Sequence, residues 1–233
     1  MSAQPMLLGE GSQRLLDQHH LLGMSTGTFT ALRGDWQALS DAAARTSSLV
    51  VELSALSEPE LRGLLAFLTN GSSLPFRYIS VHAPTKQREL PEARLVDLLA
   101  SLPDSVTTVV THPDVIEDPT HYRALGARLA LENLDARTPC GATVDDLRRC
   151  FDVLPEAGLC LDVAHARSVD PSMQLAHELL DAFRLRLRQV HVSSLDADHH
   201  HVPLLPEDVV AYASVLARCR DVPWLLEAQP PPA

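Results

Sequence analysis

The chain has 233 residues, 45% of them hydrophobic and 21% charged, and its net charge at pH 7 is −11. This length suits one α/β barrel or at most two small domains, and the composition is typical of a soluble globular protein. So acidic a surface repels nucleic acid unless basic residues cluster locally, and no Lys/Arg run is present. Neither a secretory signal nor an apolar run of membrane-spanning length is visible, so we expect a cytoplasmic protein without membrane contact.

Cysteine and lysine usage narrows the chemistry further. The cysteines form no CxxC pair, which favours reduced thiols over disulfides or a zinc ribbon; they are Cys140, Cys150, Cys160 and Cys219. Lys86 is the sole lysine, beside 18 arginines. Schiff-base chemistry would therefore depend on Lys86, which lies beyond the third predicted strand.

Apolar periodicity predicts strands that alternate with helices along the whole chain. The predicted strands span 21–26, 48–53, 76–82, 106–112, 128–132, 158–162, 187–193 and 222–227. The predicted helices span 12–20, 35–46, 58–68, 91–101, 119–125, 143–151, 171–184 and 206–218. This alternation predicts one (β/α)₈ TIM barrel domain over residues 1–233. A doubly wound open sheet competes, but its Gly-rich dinucleotide turn is missing.

The end of the chain departs from a complete barrel. After Glu227 only Ala-Gln-Pro-Pro-Pro-Ala remains, so we expect the barrel to lack its last helix. Large exposed apolar patches are uncommon in monomers. We therefore expect the segment 12–20, or a second copy of the chain in a homodimer, to cover the flank between the last strand and the first.

Six predicted strands end in a side chain of the kind that binds divalent metals. These residues are His82, His112, Glu132, Asp162, His191 and Glu227. The residue two positions earlier is usually small or apolar, and the strand period of two places both on the inner face of the barrel. Barrel enzymes keep their chemistry at this C-terminal mouth.

Each of these residues also has a simpler interpretation. Asp162 could cap the following helix, with His165 on the loop beyond the strand, and the strand-end histidines could bond to backbone. Glu132 and Glu227 are harder to explain in this way, because a buried carboxylate without a metal or an arginine is costly. The recurrence at six strand ends favours a metal site.

With these residues the chain resembles the xylose isomerase-like TIM barrels. That family includes isomerases and epimerases of sugars and sugar phosphates, and also the endonuclease IV enzymes. The matching pieces lie in strands three to eight and are Ser80-Val81-His82-Ala83-Pro84, Thr111-His112-Pro113, Leu131-Glu132-Asn133, Cys160-Leu161-Asp162-Val163-Ala164-His165, Val190-His191-Val192-Ser193 and Leu226-Glu227.

The resemblance implies one to three divalent ions, with Zn, Mn, Mg and Fe as candidates. One ion would be held by Glu132, Asp162, His191 and Glu227. In the endonuclease IV branch a second would use His82, His112 and Glu132, and a third would use His165 with an Asp-x-His pair.

The Asp-x-His element is where this sequence departs from the family. It reads Asp196-Ala197-Asp198-His199-His200-His201-Val202-Pro203-Leu204. Alignment on the aspartate selects Asp198 and His200, whereas alignment on Val-Pro-Leu selects His199 and His201. We include His201 among the candidate metal ligands.

Three functions remain open on this scaffold, and isomerisation or epimerisation of a sugar or sugar phosphate ranks first. In it the metal polarises a carbonyl, Glu132 and Glu227 move the proton, and His165 holds a hydroxyl or phosphate oxygen. Arg88, Arg137 and Arg167 on mouth loops could bind an anionic group. Endonuclease IV-like hydrolysis of a phosphoester ranks second, with a small molecule favoured over DNA. A metal-binding barrel without catalysis ranks third.

Overall fold

Parallel strands close into a barrel in the part of the chain that the structure describes. This structure is a computed structural model, and it describes residues 21–71 and 74–229. The barrel strands are β1 (Leu22–Ser25), β2 (Val50–Ser54), β3 (Tyr78–His82), β4 (Thr108–Thr111), β5 (Leu129–Glu132), β6 (Gly158–Asp162), β7 (Leu187–Val192) and β8 (Trp224–Leu226). Sequential strands pair in parallel, and β1 pairs with both β2 and β8, which closes the barrel. The predicted (β/α)₈ TIM barrel is confirmed.

Helices alternate with these strands and cover the outside of the barrel. They are α1 (Trp36–Ala44), α2 (Glu58–Thr69), α3 (Glu92–Ala100), α4 (Pro119–Tyr122), α5 (Val144–Val153), α6 (Val163–Val169), α7 (Gln174–Phe183) and α8 (Pro206–Leu216). A two-stranded antiparallel hairpin, Ser194–Leu195 with His201–Val202, follows β7 and is called the 194–202 hairpin below. Among the helices of the described ranges, none is long and apolar enough to span a membrane.

Local sequence signals explain where several helices begin. Ser57 and Glu60 form a capping box at α2, each side chain bonding the backbone N–H of the other. Thr143 and Asp146 do the same at α5, with aspartate in place of the usual glutamate. Such caps satisfy N–H groups that have no partner within the helix.

The core has two layers with different side chains. Leu, Val, Ile and Phe side chains from the outer faces of the strands pack against the helices and form the main cluster. Inside the barrel, Val110, Ala130 and Cys160 form a small separate cluster. These are the residues that the strand period places two positions before His112, Glu132 and Asp162. The part of the interior that β4, β5 and β6 line below the mouth is therefore filled with compact side chains.

The segment after β6 differs from its predicted form. The sequence predicts a loop that carries His165, but α6 begins directly after Asp162, and His165 lies in its first turn. The reason is that Asp162 Oδ1 accepts the backbone N–H of His165 at 2.7 Å, which caps the helix. Capping and a metal-binding role are thus not alternatives for Asp162, because its second oxygen stays available.

The helix predicted over 171–184 also starts later. The side chain of Asp170 accepts the N–H groups of Ser172 and Leu175, so it orders a turn instead of a helix start. Met173 has a φ of 64°, in the left-handed region, and α7 begins after it at Gln174. Two helices with a short turn therefore stand where the sequence predicts a loop and one helix.

Near the closing strands, the structure describes residues only up to 229. Residues 227–229 form no helix after β8. The segment 12–20 lies outside the described residues, so its role as a cover for the flank between β8 and β1 stays a prediction.

Candidate metal centre

The six strand-end side chains converge at the C-terminal mouth of the barrel. His82, Glu132 and Asp162 are the last residues of their strands, and His191 is the last but one in β7. His112 and Glu227 directly follow β4 and β8. Glu132, Asp162 and His191 are buried almost completely, at 1%, 0% and 0% exposure. Strand register places Asp162 beside His191, which explains why distant parts of the sequence meet.

Glu132 is the meeting point of four imidazoles. Its Oε2 lies 3.3 Å from His82 Nε2 and 3.3 Å from His191 Nδ1. The same oxygen lies 3.7 Å from His112 Nε2, and Oε1 lies 3.2 Å from His165 Nδ1. A carboxylate surrounded in this way can bridge ions held by different imidazoles.

Backbone carbonyls fix the orientation of two of these rings. His82 Nδ1 lies 3.0 Å from the carbonyl oxygen of Ala83, and His165 Nδ1 lies 3.0 Å from that of Asn133. Because a carbonyl only accepts, each Nδ1 carries a proton, and Nε2 is the atom through which each ring would bind an ion. Hydrogen bonds of this kind orient metal-binding histidines in known sites.

Asn133 locks the two strands that carry the carboxylates. Its Nδ2 donates to the carbonyl of Asp162 at 2.8 Å, and its Oδ1 accepts the N–H of Asp162 at 2.8 Å. The pair of bonds holds the end of β6 against the residue that follows Glu132. The spacing of the two carboxylates is therefore set by a buried amide.

Several buried atoms at the mouth fit the role of metal ligands. Asp162 Oδ2, His191 Nδ1 and Glu227 Oε2 are buried but have no hydrogen-bond partner among the described residues. Buried polar atoms are rarely left unpaired, so such a cluster calls for an explanation. Ligand atoms of Glu132, Asp162, His191 and Glu227 lie within 4.8 Å of one another. Oxygen and nitrogen donors in this number suit Zn²⁺, Mn²⁺ or Fe²⁺.

The charges at the mouth are strongly coupled. Burial alone would raise the pKa of Glu132, but the charges of His191 and His112 and a hydrogen bond from His165 hold it well below its usual range. Burial, together with the negative charges of Asp162 and Glu132, raises the pKa of Glu227 well above its usual range, against the opposing charge of His191. Glu132 is thus an anion, whereas Glu227 would need a nearby cation to ionise.

The histidines at the mouth divide by their surroundings. Burial lowers the pKa of His165, but Asp162 and Glu132 outweigh that effect and raise it to about 10. Burial lowers the pKa of His112 to about 4, against the charge of Glu132. A cation bound among these groups would displace the proton of His165.

The 194–202 hairpin places the residues of the two alignments of the Asp-x-His element in different surroundings. His201 lies on the hairpin strand nearest the mouth and, with Asp162 and His165, forms a third group of ligand atoms within 4.8 Å. His201 Nδ1 also lies 2.7 Å from Ser193 Oγ and 3.4 Å from Glu227 Oε2. The structure therefore brings together the candidate ligand His201 and the other predicted residues.

Asp198 and His200, the alternative pair, belong to a different group of side chains, although His200 also lines the mouth cavity described below. Together with Asp196 they form an exposed cluster at the hairpin tip. Asp196 Oδ1 accepts the N–H groups of Asp198 and His200, and the His200 ring lies 3.4 Å from Asp196 Oδ2. The role of Asp196 is thus to order the turn. His199 lies 3.6 Å from Asp135 at the rim.

Comparison with solved structures places this barrel among known folds. No protein-family model and no curated protein sequence matches the chain. Endonuclease IV from Thermus thermophilus is 21% identical, with a TM-score of 0.54 over 89% of this chain and 92% of that chain. An L-ribulose 3-epimerase is 12% identical, with a TM-score of 0.55 over 89% and 80%. A D-psicose 3-epimerase, solved in the presence of D-fructose, is 12% identical, with a TM-score of 0.51 over 89% and 84%.

The chain shares its TIM barrel fold with these solved structures. The predicted resemblance is confirmed at the level of the fold. At these identities the likeness shows the fold alone, so the reaction has to be argued from the side chains at the mouth.

The mouth of the barrel opens into a cavity of about 970 Å³. His82, His112, Glu132, His165, His201 and Glu227 line its floor, and Ser54, Thr85, Lys86, Asp135 and Arg137 are among the residues of its wall and rim. Many of these groups are hydroxyls or charges. The cavity therefore suits a small polar molecule.

The three arginines predicted to bind an anionic group lie in different places relative to the mouth cavity. Arg137 lies at the rim, where it pairs with Asp135 at 2.6 Å and donates to the carbonyl of Asp198 at 3.1 Å. Arg88 donates to the carbonyl of Val115, and Arg167 pairs with Asp208 beside a second cavity, away from the metal groups. Of the three, only Arg137 lines the mouth cavity.

The sequence interpretation missed one charged residue, Glu52 on β2. It is fully buried inside the barrel, one layer below the mouth, and contacts His191. Burial would raise its pKa, but the charge and hydrogen bond of His191 lower it to about 2. The signal was available, because a glutamate in the apolar strand Val50-Val51-Glu52-Leu53-Ser54 is unusual.

Proposed function

We propose that this chain is a divalent-metal-dependent hydrolase of small phosphoesters, with a cluster of ions at the barrel mouth. The observation that carries the proposal is the overlap of three groups of ligand atoms: His82, His112 and Glu132; Glu132, Asp162, His191 and Glu227; and Asp162, His165 and His201. Glu132 and Asp162 each belong to two groups. Shared carboxylates between adjacent ions are typical of sites that stabilise the attacking and leaving oxygens of a phosphoester.

The ions, when bound, would polarise the phosphoryl oxygens and activate a water molecule. The chain's own residues supply the rest. The hydrogen bonds of His82 to Ala83 and of His165 to Asn133 orient two rings before any ligand arrives. Such preorganisation avoids a reorganisation cost at the moment of reaction. Lys86 and Arg137 on the cavity wall provide cations for the remaining phosphate charge.

The preference for a small substrate follows from the charge of the chain. A DNA-binding barrel needs a basic surface to neutralise phosphates, and this chain has a net charge of −11. The cavity of about 970 Å³ can enclose a sugar phosphate or a small phosphodiester. A small phosphoester meets the ions without the repulsion that a long polyanion would feel.

Isomerisation or epimerisation of a sugar remains the second candidate, and one observation favours it. The group of Glu132, Asp162, His191 and Glu227 is complete by itself as a one-ion site. In it Glu132 Oε2 and Glu227 Oε1 each lie 3.3 Å from His191 Nδ1, so two carboxylates adjoin a single ion position and could move a proton. This candidate leaves His82, His112 and His201 without a role, which is why the hydrolase ranks above it here.

Metal stoichiometry combined with a His112→Ala variant tests the proposal. In the hydrolase, wild-type protein should bind two or three zinc or manganese ions per chain and cleave bis(p-nitrophenyl) phosphate. His112→Ala should lose one ion and at least about 100-fold in turnover, because a ligand of a working ion is removed. His177→Ala, on the outer face of α7, is the matched control and should keep both metal and activity.

Other results would separate the alternatives. One ion per chain, epimerisation of a free or phosphorylated ketose, and a His112→Ala variant with at most moderately reduced activity would favour the isomerase. Metal binding without turnover of either substrate class would favour a barrel that binds metal but does not catalyse.

A further inference from the structure

Glu52 lies inside the barrel at the level where β4, β5 and β6 carry compact residues. Strand register pairs it with Ser25 on β1 and with Ser80 on β3, one layer below His82. At the same level the small inner cluster contains Val110, Ala130 and Cys160. A fully buried carboxylate in this layer is costly unless its contacts require it.

Both oxygens of the Glu52 carboxylate have polar partners inside the barrel. Oε1 accepts the hydroxyl of Ser25 at 3.1 Å. Oε2 accepts a hydrogen bond from the side-chain amide of Gln189 at 2.7 Å and another from the hydroxyl of Ser80 at 3.3 Å. The same oxygen lies 2.9 Å from His191 Nε2. No cationic lysine or arginine is among these partners in the described residues. The carboxylate is thus held by neutral donors and by one imidazole.

The amide of Gln189 is itself oriented from the other side. The hydroxyl of Tyr78 donates to Gln189 Oε1 at 2.9 Å, so the NH₂ group of that amide faces Glu52. Four strands, β1, β2, β3 and β7, therefore contribute to one buried network. Such a network stabilises the fold only when each of its members has its partner.

The consequence for His191 is a fixed ring and a fixed tautomer. Nε2 of His191 lies 2.9 Å from Glu52 Oε2 and 2.9 Å from the amide nitrogen of Gln189. Because a carboxylate only accepts, the contact with Glu52 places a proton on Nε2, and the amide nitrogen, itself a donor, then makes no hydrogen bond with the ring. Nδ1 then faces the mouth, 3.3 Å from Glu132 Oε2 and 3.3 Å from Glu227 Oε1, and has no hydrogen-bond partner among the described residues. This geometry leaves the Nδ1 lone pair for an ion.

We infer that Glu52 is a positioning residue that holds His191 with Nδ1 aimed at the metal group of Glu132, Asp162 and Glu227. It acts through His191 and does not itself reach the mouth cavity. The inference rests on the proposed metal cluster, but it does not depend on which reaction the cluster performs.

The test measures zinc affinity, by competition with a chromophoric chelator, in wild type and Glu52→Gln. The variant keeps the shape but replaces the charged acceptor beside His191. We expect its affinity for the tightest ion to fall by about 10- to 100-fold, as for other carboxylates that orient a metal-binding histidine. Ser80→Ala removes a weaker bond to the same Glu52 oxygen without touching His191, and should change the affinity by less than about threefold.

A spectroscopic readout separates positioning from a purely structural role. In ¹⁵N-histidine NMR spectra of the metal-free protein, recorded at a pH where His191 is neutral, His191 should be the Nε2–H tautomer in wild type and a mixture of tautomers in Glu52→Gln. If Glu52→Gln fails to fold, Glu52→Asp decides: it keeps the charge but withdraws the carboxylate, and should show a smaller loss of affinity with the same tautomer change.

Two results would overturn the inference in different ways. Unchanged zinc affinity and an unchanged His191 tautomer in the folded Glu52 variants would contradict it alone. A wild-type protein that binds no zinc, manganese or iron would contradict the proposed function and this inference together. Metal binding without phosphoester hydrolysis would contradict only the proposed function.

Discussion

At the scale of residues, the mouth is organised around a carboxylate that several ligand groups share. Glu132 contacts four imidazoles through its two oxygens, and the charge of His191 in particular keeps it ionised despite almost complete burial. Each neighbouring group can hold an ion only while this charge is present, because the ions repel one another in a low-dielectric site. Glu132 therefore couples the occupancy of the groups.

The effect of replacing His201 can be predicted, and replacing the neighbouring His200 serves as the control. His201→Ala should remove the ion that Asp162 and His165 share with it, and so lower zinc stoichiometry by one, because its ring faces those two residues. His200→Ala should leave stoichiometry unchanged, since that ring is exposed and pairs with Asp196. Elemental analysis of both variants after gel filtration gives the answer. Loss of an ion in His200→Ala and not in His201→Ala would reverse the assignment.

The sequence was sufficient to predict which side chains meet where those residues lie at the ends of predicted strands. His82, Glu132 and Asp162 could be predicted to meet, because parallel strands of a barrel end at one mouth. It could not choose between His200 and His201, since that choice depends on a turn ordered by the Asp196 side chain. Glu52 was overlooked because its partners, Gln189 and His191, are far away in sequence.

At the scale of elements, buried carboxylates also tie loops to helices. Glu92 in the first turn of α3 accepts the N–H of Glu117 at 2.8 Å and that of Asp118 at 2.7 Å. These bonds anchor the loop that follows β4 and carries His112. Hydrogen bonds to a charged acceptor are stronger than neutral ones, so this loop is held at a fixed height above the barrel.

Glu92 yields a pH-dependent prediction for stability. Burial would raise its pKa, but the backbone bonds from Glu117 and Asp118 lower it below its usual range. A lowered folded-state pKa contributes stability that is present above the unfolded pKa of about 4.3 and is lost as pH falls through the folded value. Glu92→Gln should therefore cost about 1 to 3 kcal/mol at pH 7, and the difference should shrink below about pH 4.

Urea unfolding at about pH 7 and about pH 3.5, on either side of the unfolded pKa, measures this difference. Glu89→Gln, three residues before Glu92 in the segment between β3 and α3, is the control: its exposed side chain makes no hydrogen bond in the described residues, and the change should alter stability by less than about 0.5 kcal/mol. A Glu92→Gln penalty that is equally large at both pH values would show that shape, not charge, holds the loop.

Element boundaries show where local sequence signals stop being sufficient. The helix predicted from Thr143 begins where expected, because Thr143 and Asp146 cap α5 reciprocally. The segment after β6 was predicted as a loop and one helix because Asp170 and Pro171 look like a helix start. In the structure Asp162 caps a helix that starts earlier. Met173 has a left-handed backbone conformation, which separates that helix from the next one.

At the scale of the whole molecule, the alternation of strands and helices was sufficient to predict a closed barrel. The closure itself, β1 against both β2 and β8, follows from eight parallel strands in sequence order. The reaction was not predictable in the same way, because solved structures with this fold include both an endonuclease and epimerases. The side chains at the mouth have to decide it.

The net charge of −11 also acts on the molecule as a whole. It favours the approach of cations and disfavours that of polyanions. Carboxylates at the mouth, with Glu132 fully buried among them, concentrate this effect at the site of the candidate ligands. The central claim is accordingly that the mouth binds a cluster of cations whose ligand groups share Glu132.

The metal content of Glu132→Gln tests this claim most directly. After zinc loading and gel filtration, wild type should retain two or three ions per chain, and Glu132→Gln, which keeps the shape but removes the shared charge, should retain at most one and bind it at least about tenfold more weakly. Glu117→Gln, an exposed carboxylate outside the mouth cavity, should match wild type. A Glu132→Gln protein that binds zinc with wild-type stoichiometry and affinity would contradict the account.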